Sequence, residues 1–158
     1  MEKGLQTTLV GWLGLVALVA AAGVVLAQGE EEGAVAYRGK IMRVNGASMG
    51  AINDVLKFKL PGGNEHVVAH AETIHRESQL IASAFEQEVL SDESRALPAI
   101  WQQWDEFVAA ADALGQASAK LVEVAKGGDQ RAIMAEVKAV GEACSGCHDT
   151  FRKPREQQ

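Results

Sequence analysis

Apolar residues in the third quarter of the chain recur at alternating steps of four and three. The series begins at Ile100 and ends at Ala125. An α-helix places residues at these steps on one face, and the alternation is the spacing at which helices pack in left-handed bundles. The pattern therefore predicts a long helix that buries one stripe. The stripe comprises Ile100, Trp104, Phe107, Ala111, Leu114, Ser118, Leu121 and Ala125.

Three further segments each carry a single apolar stripe at helical spacing. Short links rich in glycine or proline separate most of them. Four amphipathic helices joined in this way predict an all-α fold, an antiparallel four-helix bundle. The helices are predicted over residues 31–57, 65–84, 98–126 and 129–152.

The ends of these helices carry start signals. Asn64 is predicted to cap the second helix and Asp129 the fourth, since both side chains accept hydrogen bonds from first-turn N–H groups. Pro98 suits the first turn of the third helix. The polar segment 86–97 is predicted to be a loop, and residues 28–33 a polar leader before the first helix.

Length and charge narrow the class of protein. The 158 residues suffice for one domain, and aromatic residues make up only 5%. The net charge is −6 and no basic cluster is present, so nucleic acid is not an expected partner. No Ser–His–Asp pattern, phosphate-binding loop or pair of carboxylates stands out. The chain is therefore not predicted to be an enzyme.

The N-terminal segment 1–27 is predicted to be a targeting segment. Lys3 supplies a weak positive region, residues 9–27 are nearly all apolar, and a small-residue cleavage site precedes Gln28. The alternative is an uncleaved membrane anchor, because 19 residues approach the length of a membrane span. In both cases residues 28–158 are exported.

The most specific motif is Cys144-Ser145-Gly146-Cys147-His148 near the end of the fourth helix. Its C-x-x-C-H pattern is typical of covalent attachment of haem c. Steps of three and four residues place both thiols and the imidazole on one side of a helix. The thiols can add to the two vinyl groups of the haem, and His148 can reach the iron as proximal ligand. Since Cys144 and Cys147 continue the apolar stripe, the haem is predicted to lie inside the bundle.

Other uses of the two cysteines fit less well. A redox-active C-x-x-C normally begins a helix after a strand, whereas this motif ends a helix. A zinc site needs two further ligands at workable spacing, and the only other histidines are His66, His70 and His75. A disulfide between Cys144 and Cys147 would close a very small loop and stabilise little.

The sequence resembles the class II cytochromes c, of which cytochrome c' is the best-known member. The resemblance covers about residues 34–154. A C-terminal position of the C-x-x-C-H motif separates this class from class I, in which the motif is normally near the N-terminus. The resemblance is carried by Tyr37-Arg38-x-x-x-Met42, Leu97-Pro98-Ala99-Ile100-Trp101, Gly128-Asp129 and the run from Ala143 to Arg152.

The resemblance implies a role for each matched residue. Cys144 and Cys147 carry the thioethers of one haem c, and His148 is the proximal iron ligand. Arg38 matches a position that contacts a haem propionate, and Arg152 one beside the proximal imidazole. Met42 matches the distal position, above the iron face opposite His148.

The family has two functional branches. In one, the distal methionine binds the iron, and the protein is a low-spin electron carrier of the periplasm with redox partner proteins. In the other, the iron is five-coordinate and high-spin and binds nitric oxide or carbon monoxide. Met42 is compatible with both branches, and electron transfer is the preferred interpretation. Met49 is a weaker candidate for the same ligand role.

The family is often dimeric through its first two helices. The first helix has more apolar residues than one stripe needs, which predicts a homodimer. The residues concerned are Ile41, Val44, Val55 and Leu56.

Overall fold

The computed structural model describes the backbone of residues 6–154 and the side chains of residues 30–154. Helices account for most of these residues. They are α1 (Gln6–Phe58), α2 (Gly63–Ser78), α3 (Ile81–Phe85), α4 (Ala99–Gln102), α5 (Trp104–Gly127) and α6 (Gln130–Phe151).

The four long helices α1, α2, α5 and α6 form an antiparallel bundle, as predicted. α1 packs on α2, α2 on α5, and α5 on α6. Contacts at both ends fix the opposite directions: Phe107 of α5 meets Phe151 of α6 at a centroid distance of 5.3 Å, and near the other end Lys120 bonds Glu136 at 2.8 Å. The short α3 follows α2 after two residues, and the short α4 directly precedes α5.

The long helices bury most of the stripes that their sequences predict. On α5, Phe107, Ala111, Leu114, Ser118, Leu121 and Ala125 are buried. On α6 the buried residues are Ile133, Val137, Val140 and Phe151. Removal of these side chains from water is the main favourable contribution to folding, at about 25 cal/mol per Å² of apolar surface.

Two of the predicted helices are interrupted. The second breaks at Gln79 and Leu80, where the backbone stays right-handed but tightens, with Leu80 N–H donating to Glu77 O at 3.1 Å. The third breaks at Gln103, whose φ of −129° and ψ of 53° are not helical. In both places the apolar spacing continues through the break, so periodicity could not reveal it.

Of the two predicted N-caps, the structure confirms Asp129 and contradicts Asn64. Asp129 caps α6 and accepts from the N–H groups of Arg131 and Ala132, as predicted. Asn64 is not a cap, because α2 already begins at Gly63 after a left-handed Gly62. The Asn64 side chain instead accepts a hydrogen bond of 2.7 Å from Gln130.

The first helix does not begin at residue 31. It runs through the predicted polar leader, where glutamates favour the helix and no proline ends it. Residues 1–5 and the side chains of residues 6–29 lie outside what the structure describes, so the targeting segment predicted over 1–27 stays a prediction. Among the described residues, none of the helices combines the length and the hydropathy that a membrane span requires.

The segment 86–97 is a loop, as predicted, and it pairs with the end of α6. Leu97 N–H donates to Phe151 O at 3.0 Å, and Lys153 N–H donates to Arg95 O at 2.8 Å. Ala96 and Arg152 form an isolated antiparallel bridge. The end of the motif helix is therefore fixed to a loop distant in sequence.

The surface proposed for dimerisation is smaller than the sequence suggests. Ile41 and Val55 are core residues, 2% and 7% exposed, and Leu56 packs against the core. Of the four residues only Val44 is exposed. Ile41 and Val55 belong to the stripe that α1 turns toward the bundle interior.

Candidate functional site

The C-x-x-C-H motif occupies the last two turns of α6. Cys144 and Cys147 are free thiols, half-buried, and packed against the apolar core. His148 is also half-buried, and its carbonyl accepts the N–H of Arg152 at 3.2 Å. The three side chains therefore lie on the inner side of one helix, as their spacing predicts.

The electrostatic setting of the thiols disfavours a redox pair. Burial raises the pKa of Cys144, and burial together with the neighbouring Cys144 raises the pKa of Cys147 to about 11. The positive charge of Arg152 acts in the opposite direction but is outweighed. Disulfide oxidoreductases need a lowered thiol pKa. Here both groups are neutral thiols at pH 7.

Opposite the motif, α1 carries Met42 and Met49 on one face, seven residues apart. Both are half-buried and pack against the core. The terminal methyl of Met49 lies 3.7 Å from the position a Cβ would take on Gly141 of α6. Because α1 and α6 are antiparallel, a step of seven residues from Met49 back to Met42 and a step of seven from Gly141 on to His148 run in the same direction along the bundle axis. This register places Met42 level with His148 across the bundle.

A cleft of about 630 Å³ separates α1 from α6 on this side. It extends from the motif toward the far end of the bundle. Gly141, Glu142 and Ser145 line it nearest the motif, whereas Cys144, Cys147 and His148 are not among its lining residues. The lining residues are Met49, Asn53, Leu56, Lys57, Met134, Val137, Lys138, Gly141, Glu142 and Ser145.

Arg38 is buried, 4% exposed, one turn before Met42. Its guanidinium donates to the carbonyls of Ala84 at 2.8 Å and Val89 at 2.9 Å, and also to Gln87 O. Burial lowers its pKa. Among residues 30–154 it has no carboxylate within ion-pair distance, so carbonyl dipoles and the rings of Phe85 and Trp101 are what face its charge.

Arg152 follows the last turn of α6 and is half-buried. Its effect on the pKa of both cysteines places its charge near the motif. The predicted site residues thus fall into two groups: Cys144, Cys147, His148 and Arg152 on α6 or directly after it, and Arg38 and Met42 on α1.

Sequence reasoning missed two features of this region. Trp101 Nε1 donates to Phe85 O at 2.7 Å, and the Arg38 guanidinium lies 5.5 Å from the Trp101 ring centroid. Asn45 is 7% exposed, and neither atom of its amide has a hydrogen-bond partner. Asn45 follows Ile41 by four residues and precedes Ile52 by seven, and this helical spacing from two core residues was the available signal.

Other metal chemistry has little support in this part of the chain. No group of three or more His, Cys, Asp or Glu side chains among the described residues could hold a metal ion. His75 Nδ1 lies 2.9 Å from Gly115 O, within the α2–α5 contact.

An antiparallel four-helix bundle with C-x-x-C-H in its last helix defines a class II cytochrome c. The profile of the cytochrome C' family matches residues 33–152. The chain belongs to the cytochrome c' family, whose members carry one covalently attached haem c.

Relatives within the family carry two kinds of name. Cytochrome c' of Pararhodospirillum photometricum is 31% identical over 77% of this chain and 98% of its own. Cytochrome c-556 of Agrobacterium tumefaciens (strain II Chrys) is 33% identical over 76% and 97%. The solved nitric oxide complex of a mutant cytochrome c prime from Alcaligenes xylosoxidans superposes with a TM-score of 0.70, at 28% identity over 78% and 97%.

The residues present fit a covalently bound haem. Two free thiols lie on one inner face, and the cleft between α1 and α6 reaches the motif only at Ser145. A buried guanidinium without a carboxylate partner in the described region suits a propionate. The buried side-chain amide of Asn45 on α1, which has no hydrogen-bond partner, is a further polar group in the same region.

Proposed function

We propose that this protein is a periplasmic electron carrier with His148 and Met42 as the two axial ligands of its haem iron. The observation that supports the proposal is the register of α1 against α6, which sets Met42 level with His148 on the opposite side of the bundle. Members of the family are periplasmic, and a targeting segment over 1–27 agrees with export.

Each residue has a defined task in this proposal. Cys144 and Cys147 form the thioethers, and their attachment to one rigid helix fixes where His148 can reach. His148 and Met42 hold the coordination sphere nearly unchanged between oxidation states, which keeps reorganisation small. Bound haem c supplies a one-electron ferric/ferrous couple, and a thioether ligand raises its potential.

Arg38 and Arg152 have electrostatic tasks. A positive charge near the cofactor favours the ferrous form, because ferrous iron carries one positive charge fewer than ferric iron and is repelled less. Arg38 is suited to a propionate, and Arg152, directly after the motif helix, to the proximal side. Electrons are exchanged with redox partner proteins at the protein surface, and catalysis on an organic substrate is not part of the proposal.

Binding of a diatomic gas is the second candidate function. A related cytochrome c prime forms a nitric oxide complex, as its solved structure states. Methionine is a flexible side chain, and Met42 is only half-buried, so it can also pack over the iron without binding it.

Two spectra separate the candidates. We expect the ferric protein to be low-spin by visible and electron-spin-resonance spectroscopy, and the ferrous spectrum to stay unchanged under carbon monoxide. A high-spin ferric spectrum with a carbon monoxide shift would contradict methionine ligation and support gas binding. A protein without added haem mass, made with a working haem-attachment system, would contradict both.

A further inference from the structure

The Asn45 side chain is the clearest unexplained polar group of the bundle interior. It is 7% exposed, and both Nδ2 and Oδ1 lack a hydrogen-bond partner. Within residues 30–154, these are the only buried side-chain nitrogen or oxygen atoms in that condition. A buried polar group without a partner destabilises the folded state. Such a cost indicates a partner in the functional protein.

The position of Asn45 indicates which partner this is. It follows Met42 by three residues and precedes Met49 by four, so it shares their side of α1. Side chains on an α-helix lean toward its N-terminus. The Asn45 amide is therefore directed toward the level of Met42 and His148 and away from the far end of the cleft.

We propose that Asn45 Nδ2 donates a hydrogen bond to the Met42 sulfur when that sulfur is the distal iron ligand. A thioether sulfur has two lone pairs, so one can bind the metal while the other accepts the N–H. Met42 is unbranched and half-buried, so its sulfur can approach the amide while the helix stays in place. This inference rests on Met42 ligation as proposed above.

The hydrogen bond would have two consequences. It withdraws electron density from the sulfur, which weakens its donation to ferric iron more than to ferrous iron and raises the reduction potential. It also holds the sulfur in one orientation and slows its replacement by an external ligand. Asn45 is thus a positioning residue that acts through Met42.

The test compares wild-type holoprotein with Asn45→Leu, which keeps the volume and removes the amide. We expect a lower reduction potential, a shift of the ferric sulfur-to-iron absorption band, and a carbon monoxide response of the ferrous spectrum that the wild type lacks. Asn45→Gln keeps an amide donor and should retain part of the wild-type potential. Ser48→Ala, a buried polar position one turn farther along α1, should leave all three readouts unchanged.

A second measurement needs no variant. In the ferrous holoprotein, one of the two Nδ2 protons of Asn45 should exchange slowly with solvent and show a ring-current shift in nuclear magnetic resonance. Rapid exchange of both protons would overturn the inference, and so would a Met42-ligated protein in which Asn45→Leu lowers thermal stability alone. A high-spin wild type would instead overturn the proposed function, and this inference with it.

Discussion

The guanidinium of Arg38 lies over the ring of Phe85, 4.7 Å from its centroid, and so joins α1 to α3 by a cation–π contact. The same group donates to three backbone carbonyls between residues 84 and 89. One side chain therefore fixes the start of the 86–97 loop, whose other end pairs with the end of the motif helix.

Replacement of Arg38 should destabilise the whole bundle. Arg38→Ala leaves three carbonyls without their donor and a cavity against Phe85, at a cost of about 3 kcal/mol or more. Chemical denaturation of the holoprotein measures this change, and proteolysis should accelerate within 86–97. Arg43→Ala, exposed on the same helix, is the matched control. An equal effect of both variants would contradict the role given to Arg38.

Loss of either motif cysteine should reduce covalent haem. Cys144→Ala or Cys147→Ala removes one thioether, and the double variant removes both, so the double variant should show no haem mass in denaturing mass spectrometry. Thermal stability should fall in the same order, because a porphyrin attached to α6 would add apolar contacts to the folded bundle. Ser145→Ala, exposed between the cysteines, should behave as wild type.

The two methionines of α1 should differ in effect. Met42→Ala should open the sixth position, lower the potential, and convert a ferrous protein that ignores carbon monoxide into one that binds it stoichiometrically. Met49→Ala lies seven residues away and should leave the visible spectrum unchanged. If the two variants gave the same spectrum as a high-spin wild type, Met42 would be a packing residue only.

Gly128 should be sensitive to substitution, and Gly127 should not. Gly128 has φ of +78°, and an added Cβ would lie 3.2 Å from Asn64 Nδ2. Gly128→Ala should therefore cost about 1 kcal/mol or more of unfolding free energy. Gly127 has a helical backbone and open space around it, so Gly127→Ala should keep or slightly raise stability. Urea unfolding of both variants gives the comparison.

Proteins of this family are often homodimers. Tyr37 and Val44 lie seven residues apart on α1, and both are exposed. We predict that this chain dimerises through this face and that Val44→Glu yields a monomer by light scattering at micromolar concentration. Met134→Glu places the same charge on α6 and should stay dimeric. A wild type that is monomeric under these conditions would contradict the prediction.

Most of the fold could be predicted from patterns among residues close in sequence. The Asp129 cap and the stripe of α5 depend on residues close in sequence, and both were predicted. The donors of Arg38 reach carbonyls 46 to 51 residues away, and a pattern of helical steps contains no information about them. The helix breaks at Gln79 and Gln103 were not predicted, because they change the backbone hydrogen bonding but not the spacing of the apolar residues.

The candidate site divides in the same way. Spacing alone placed the two thiols and His148 on one face of α6. The height of Met42 relative to His148 along the bundle was inferred from the packing of Met49 on Gly141. That contact depends on how the first and last helices meet, which the sequence pattern does not contain. Asn45 is an ordinary polar residue in the sequence, and only burial without a partner distinguishes it.

The attachment motif lies in the last helix of the bundle, and this determines the order of maturation. During synthesis, α1, α2 and α5 emerge before Cys144 and Cys147 do. N-terminal elements begin to fold first, but the stripe of α5 and the methionine face of α1 stay without their final neighbour until α6 arrives. Attachment at Cys144 and Cys147 can therefore begin only after most of α6, the helix that completes the bundle, has been made. A chain truncated before residue 130 would lack the whole of α6 and would leave the apolar stripe of α5 uncovered on that side.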